Sequence, residues 1–190
     1  VFHRVDPDFN NPNPTEYARD LLEKLGLPEE SSAVFLTAVD VVKEHIELKA
    51  SSPVRILLVA SVGLSPGVCI GAGGAAEKPA TINVLLFIEK ALTDNAFVDL
   101  AGVVSSAKTL ALVDLALSGG YNLGRVYATA TDAMVIASTI DEVDKELYGG
   151  PATHIGSEAA KLVYEAIISA GLKSLGRDER FRNIFGVDIG

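Results

Sequence analysis

CIGAGGAAEKPATIN, residues Cys69–Asn83, is the stretch on which the fold turns. Gly71, Gly73 and Ala76 match the G-x-G-x-x-G/A pattern of a dinucleotide-binding turn, and a strand-like run, VRILLVAS (Val54–Ser61), lies upstream. A true fingerprint puts its glycines directly after a strand and at the start of a helix, so that a pyrophosphate meets the helix N-terminus. Here Gly63-Leu64-Ser65-Pro66 intervenes, and Glu77-Lys78-Pro79 follows. Pro79 has no N–H to donate and breaks a forming helix. The match is therefore fortuitous. Residues 67–80 read instead as a flexible glycine-rich loop, either a plain surface loop or a flap over a ligand site.

Outward from this loop, the pattern alternates irregularly between strand and helix. Residues 1–14 hold three prolines and three asparagines, the mark of an extended, turn-rich lead-in. Thr15 can cap a first helix that presents Tyr17, Leu21, Leu22 and Leu25 on one face and stops at Gly26. Strands are expected at Ala33–Ala38, around Ile46–Ala50, at Val54–Ser61, at Ile82–Glu89 and, as one run, at Val126–Ser138. Long helices are expected from Thr93 or Asp94 to about Leu117, and from about Gly156 to Leu175. Strands joined by short turns, without a helix between each pair, predict a single α+β domain over residues 1–190. Its mostly antiparallel or mixed sheet is packed by two long helices and a shorter N-terminal one.

Composition narrows the function. The net charge of −9 and pI near 4.8 oppose nucleic-acid or anionic-membrane partners. A single Cys excludes an internal disulfide and a multi-Cys metal site, which favours a reducing, cytoplasmic setting. No uncharged apolar run reaches about 18 residues, so no membrane span is expected. Glutamine is absent and Met and Cys occur once each, a composition that hints at a thermophile. The three histidines lack metal-ligand spacing, so no metal is expected.

Two charged residues break the local pattern. Lys108 stands in the stripe Phe97, Ala101, Val104, Lys108, Ala111 and Leu115 of the long helix. Either its stem lies on apolar surface with the ammonium in water, or the ammonium points into a pocket toward a carbonyl or carboxylate. Asp132 stands among Val126, Ala128, Ala130, Met134 and Ile136 on one strand face. Either Thr131-Asp132 is a strand end whose carboxylate binds nearby amides, or Asp132 belongs to a site. Thr129 and Thr131 lie beside it. His154, in GPATHIGSE just before the last helix, is either an exposed loop histidine or a group at an anion-binding helix N-terminus.

Taken in order, GLPEESSAVFLTAVDV (Gly26–Val41), VASVGLS (Val59–Ser65), TINVLLFIEKALTDNAFVDL (Thr81–Leu100), SSAKTLAL (Ser105–Leu112), ATATDAMVIAS (Ala128–Ser138) and YGGPATHIGSEAAKLVYEAI (Tyr148–Ile167) make the chain resemble the adenosylcobinamide amidohydrolase family of corrinoid salvage. The family typically has Gly where Ala80 and Ala130 stand here, and often His-Thr-Lys where this chain reads Ala152-Thr153-His154. Its members extend further upstream than Val1.

The resemblance implies hydrolysis of the amide joining the aminopropanol arm to the corrin ring. The corrinoid is then substrate, and no cofactor is called for. Amide hydrolysis needs a base, an attacking hydroxyl or water, oxyanion donors and an acid for the leaving amine. In this reading Asp132 is the base or orients the attacking group, Thr131 positions water or supplies the hydroxyl, and Lys108 stabilises the oxyanion or the leaving group. Thr81, Asn83, Thr129, Thr37, Asp40 and His154 are the expected substrate-binding residues. Three alternatives stand beside this one: a corrinoid binder without hydrolysis, an amidohydrolase of another amide, and a homo-oligomeric assembly protein that uses the apolar helix as its interface.

Overall fold

The computed structural model describes residues 1–41, 45–50, 55–64, 67–69, 81–118, 126–129 and 131–175. The first strand, β1 (Phe2–Arg4), pairs in parallel with β2 (Phe35–Thr37), so the N-terminal lead-in is anchored from its second residue. Helix α1 (Pro14–Leu25) lies between them. Its cap is Asn13, two residues earlier than the Thr15 expected: Asn13 Oδ1 accepts from Glu16 N at 3.2 Å. Pro14 then occupies the first helical position, where its missing N–H costs nothing. Gly26 ends the helix in the left-handed region (φ 67°), which a residue without a Cβ adopts freely.

The central sheet is mixed and runs in the order β3 (His45–Ala50), β4 (Ile56–Val62), β6 (Ile82–Ile88), β9 (Ala133–Ser138). The first two pairings are antiparallel and β6–β9 is parallel. The parallel step follows from the long helix α2 (Asp94–Ser118), which carries the chain back along the sheet after β6. Short strands β7 (Ala91–Leu92) and β10 (Lys145–Glu146) pair in parallel beside it. Helix α3 (His154–Leu175) closes the described chain.

Alternation along the strands sorts the core. Ile56, Leu58, Ala60 and Val62 of β4 and Ile82, Val84, Leu86 and Ile88 of β6 are buried in one cluster with Leu100, Val104, Ala111 and Leu115 of α2 and Val163, Ala166 and Ile167 of α3. Even-numbered residues of these two strands therefore face the helices. Odd-numbered ones, among them Ser61 and Asn83, face the other side.

Tight backbone contacts lock α3 in place. A Cβ on Gly156 would overlap the carbonyl oxygen of Gly150, and one on Gly149 would stand 2.7 Å from Leu100 Cγ. The Tyr148–Gly150 turn thus presses directly on both long helices. Helix α2 also has an apolar outer face, with Val98, Leu110 and Val113 exposed. Over Asp94–Leu115 its mean hydropathy is 1.6, enough by length and composition to cross a membrane. Its inner face is nonetheless a core face of this domain.

Three expectations need correction. Gly67–Cys69, assigned to a flexible loop, form strand β5, which pairs antiparallel with β8 (Val126–Thr129). Residues 70–80 of that loop lie outside the described residues. The expected single strand Val126–Ser138 is two, β8 and β9, interrupted at Thr131-Asp132. The reason is local: Asp132 accepts a hydrogen bond from Thr129 N at 3.1 Å, a side-chain bond that competes with continued strand pairing. The last helix begins at His154, capped by Thr153, whose Oγ1 accepts from Gly156 N at 3.0 Å. His154 is therefore the first helical residue and not a loop residue before it.

Candidate active site

Asp132 occupies the break between β8 and β9, at the N-terminal ends of β6 and β9. Four donors converge on it. Oδ1 accepts from Ile82 N at 2.9 Å and from Thr129 Oγ1; Oδ2 accepts from Thr129 N at 3.1 Å and from Lys108 Nζ at 2.6 Å. A carboxylate offers about four lone-pair directions, so this one is filled. The side chains of both Lys108 and Asp132 are only 12% exposed. Lys108 reaches the site from α2, within one helical turn of Val104 and Ala111, which are buried in the core. Of its two readings, the structure shows the ammonium turned to a carboxylate inside the protein. Such a pair is stable because the charges are matched and the other lone pairs satisfied. Lys108 Nζ keeps two further N–H donors beyond the one given to Asp132.

Thr81 and Asn83 lie beside this pair but on the other sheet face. Thr81 Oγ1 donates to Thr131 O at 2.7 Å, tying the start of β6 to the Thr131-Asp132 turn. It also lies 3.4 Å from Asn83 Oδ1. Thr81, Asn83 and Thr129 are all buried, whereas Thr131 is exposed at the turn. Lys108, Asp132, Thr129, Thr131, Thr81 and Asn83 thus form one polar cluster around the end of the sheet, split between its two faces.

The remaining candidates make other contacts. Thr37 is buried at the end of β2, where its Oγ1 accepts from Val39 N at 3.1 Å. Asp40 pairs with Arg4 at 3.9 Å. His154 is exposed at the start of α3. A groove of about 660 Å³ runs between α2 and α3 on their outer side, lined by Val98, Val103, Leu110, Pro151 and Tyr164 among others. None of the cluster residues lines it. Among the described residues no His, Cys, Asp and Glu group could hold a metal ion.

One residue escaped sequence reading. Ser61 of β4 stands directly opposite Asn83 in the β4–β6 register, and Ser61 Oγ and Asn83 Nδ2 are buried without a hydrogen-bond partner among the described residues. Leaving such a group bare costs about 1–3 kcal/mol. The signal was available, since a serine late in the run ILLVASV sits on the same face as the asparagine opening INVLLFI. It becomes meaningful only once the register is known.

A buried ammonium–carboxylate pair with adjacent hydroxyls and an amide, set at the end of a mixed sheet, is equipment for polarising a carbonyl group. The class that the fold defines is a single α+β domain with this polar cluster at the end of its sheet. The chain belongs to the adenosylcobinamide amidohydrolase family, whose model matches residues 1–179. The family's name denotes a hydrolase of an amide bond. An adenosylcobinamide amidohydrolase of Methanosarcina mazei is 28% identical over 185 residues, covering 93% of this chain and 84% of that protein. A second, from Halobacterium salinarum, is 28% identical over 169 residues, covering 85% and 68%. No solved structure matches the chain.

Proposed function

We propose that this chain hydrolyses the amide joining the aminopropanol arm of adenosylcobinamide to the corrin ring, releasing adenosylcobyric acid and aminopropanol. Family membership supports the substrate class. The observation that carries the chemistry is the contact of Lys108 Nζ with Asp132 Oδ2 at 2.6 Å. It holds an ammonium in a largely water-excluded position with donors to spare, where an oxyanion is stabilised more strongly than in water.

In this mechanism water adds to the amide carbon, and the carbonyl oxygen takes up negative charge against Lys108. The C–N bond then breaks; the acyl carbon keeps the hydroxyl and the amine nitrogen gains the proton. Asp132 chiefly orients Lys108, because four donors already occupy its oxygens. Rotation of the Thr129 hydroxyl would free Oδ1 to take the proton of the attacking water. Thr131, exposed at the same turn, positions that water. Thr81 and Asn83 hold the amide-bearing arm, and Thr37, Asp40 and His154 bind more remote parts of the substrate. The corrinoid is substrate, no cofactor or metal takes part, and the protein works in the cytoplasm. The exposed apolar face of α2 serves a homo-oligomer contact, while the acidic balance suits neither nucleic acid nor an anionic membrane surface.

The saturation of Asp132 favours one second reading, a corrinoid binder that does not cleave. Incubation with adenosylcobinamide and assay for free aminopropanol separates the two. Release of aminopropanol, lost in Lys108→Ala, supports hydrolysis. A spectral change without release supports binding alone.

A further inference from the structure

We infer that Ser61 and Asn83 form a subsite for a carboxamide of the substrate, on the sheet face opposite α2 and α3. The inference rests on the corrinoid-amide reading above and extends it to residues with no part in the Lys108–Asp132 pair.

Ser61 and Asn83 are 0% and 1% exposed and directly opposed across β4 and β6. Directly opposed residues on one face have their Cβ atoms about 4.5–5.5 Å apart. Neither Ser61 Oγ nor Asn83 Nδ2 has a partner among the described residues. Buried polar side chains are satisfied in the large majority of cases, so two open ones side by side require a reason. The conclusion survives rotation of the Asn83 amide. Thr81 spends its single proton on Thr131 O at 2.7 Å. Turned over, Asn83 Nδ2 would donate to Thr81 Oγ1, and Oδ1 would be the open end instead.

The chemistry of the pair selects its ligand. Asn83 presents a donor, or an acceptor when its amide is turned over and the ligand's two roles exchange, and Ser61 both a donor and an acceptor. A carboxamide matches them, with its C=O accepting from Asn83 Nδ2 and its N–H donating to Ser61 Oγ. Neither residue carries charge, so the site suits a neutral group over a carboxylate or phosphate. It also adjoins the proposed reaction centre. Asn83 is paired in register with Ala133, the residue after Asp132, and Ile82 N binds the Asp132 carboxylate. Beyond Ser61, Gly63 leaves room for Val39, whose Cγ2 would stand 2.7 Å from a Cβ there. The turn after Thr37 therefore touches this same face, next to the subsite.

The rival explanation is a buried water bridging the two side chains. The two differ in what Ser61→Ala does. A hydroxyl reserved for a ligand is an unsatisfied group in the free protein, and removing it leaves the thermal midpoint unchanged or raises it. A hydroxyl holding a structural water stabilises the fold, and removing it lowers the midpoint.

The test uses the full chain, Ser61→Ala and Asn83→Ala, with three readouts: thermal midpoint, spectral titration with adenosylcobinamide, and aminopropanol release. Expected for Ser61→Ala is an unchanged or raised midpoint with affinity weakened about tenfold. Asn83→Ala weakens affinity at least as much. A lowered midpoint with unchanged affinity overturns the subsite in favour of water. Unchanged affinity in both variants overturns it outright. Wild-type binding without aminopropanol release, still weakened in Ser61→Ala, supports the subsite and overturns the hydrolytic reading. Absence of both binding and release in the wild type overturns both.

Discussion

Replacing Asp132 with asparagine keeps the shape of the side chain and changes what its four neighbours find there. On the Oδ2 side an NH2 group would face Lys108 Nζ and Thr129 N, both donors. On the Oδ1 side it would face Ile82 N, a donor, and Thr129 Oγ1, which can turn to accept. The second orientation is less damaging, yet it strands one backbone N–H and leaves the ammonium without a counter-charge. With both charged side chains 12% exposed, the pair is buried enough that removing one member costs about 3–5 kcal/mol. At about 2–4 °C per kcal/mol for a domain of this size, the thermal midpoint of Asp132→Asn falls by roughly 6–20 °C. A second variant isolates the charge. Lys108→Met combined with Asp132→Asn removes the stranded ammonium and recovers part of the loss, a coupling of about 0.5–3 kcal/mol. Denaturant unfolding of the wild type, the two single variants and the double variant measures it. A midpoint for Asp132→Asn within about 2 °C of wild type, or strictly additive single effects, would refute the view that this pair is buried, matched and structurally committed.

Other outcomes follow from the same structure. Lys108→Ala lowers the rate of aminopropanol release by roughly 10²–10⁴-fold, comparable to removal of a single oxyanion donor or general acid; an unchanged rate in the folded variant removes Lys108 from the chemistry. Gly156→Ala forces a methyl group onto the Gly150 carbonyl and destabilises the domain by about 1–3 kcal/mol or more, read in urea unfolding. Thr81→Val loses the 2.7 Å bond to Thr131 O and costs about 1 kcal/mol, with a larger relative loss in activity because the Thr131-Asp132 turn is released. Tyr164 Oη donates to Asp114 Oδ2 at 2.8 Å, and this bond, followed by burial, holds the phenol above its ordinary titration range. Its contribution to stability is complete below the unfolded-state pKa and disappears as pH rises through the folded one. Asp114→Asn moves the phenol back down, visible as phenolate absorbance without tryptophan interference and assigned by its absence in Tyr164→Phe.

Much of the secondary structure was legible because it is written in short-range periodicity. The run INVLLFI and the long apolar helix after it were placed nearly to their ends, since strand alternation and helical spacing need no partner to be recognised. Structure departs from the sequence pattern where a side chain competes with the backbone. Asp132 ends a strand by binding Thr129 N, and Thr153 rather than a later residue caps α3. Both acts are hydrogen bonds three residues long, invisible to a hydropathy pattern. Lys108 and Asp132 drew notice as charges in apolar company, but that anomaly carries no address. Nothing local says that residues 24 positions apart would meet, or that Ile82, 50 positions from Asp132, would add a further donor.

By itself, then, the amino-acid order determined the rejection of a dinucleotide fold, the identity and succession of the main elements and the kinship with corrinoid amidohydrolases. All of these depend on neighbours within a few turns or on motif order. Tertiary structure alone decided that Asp132 is filled by four donors, that Thr81 and Asn83 stand across the sheet from it, and that Ser61 faces Asn83. Strand register controls each of these, and a shift of one residue would turn every side chain to the opposite face. Register is set by the packing of the whole sheet against α2 and α3, a property no single segment contains.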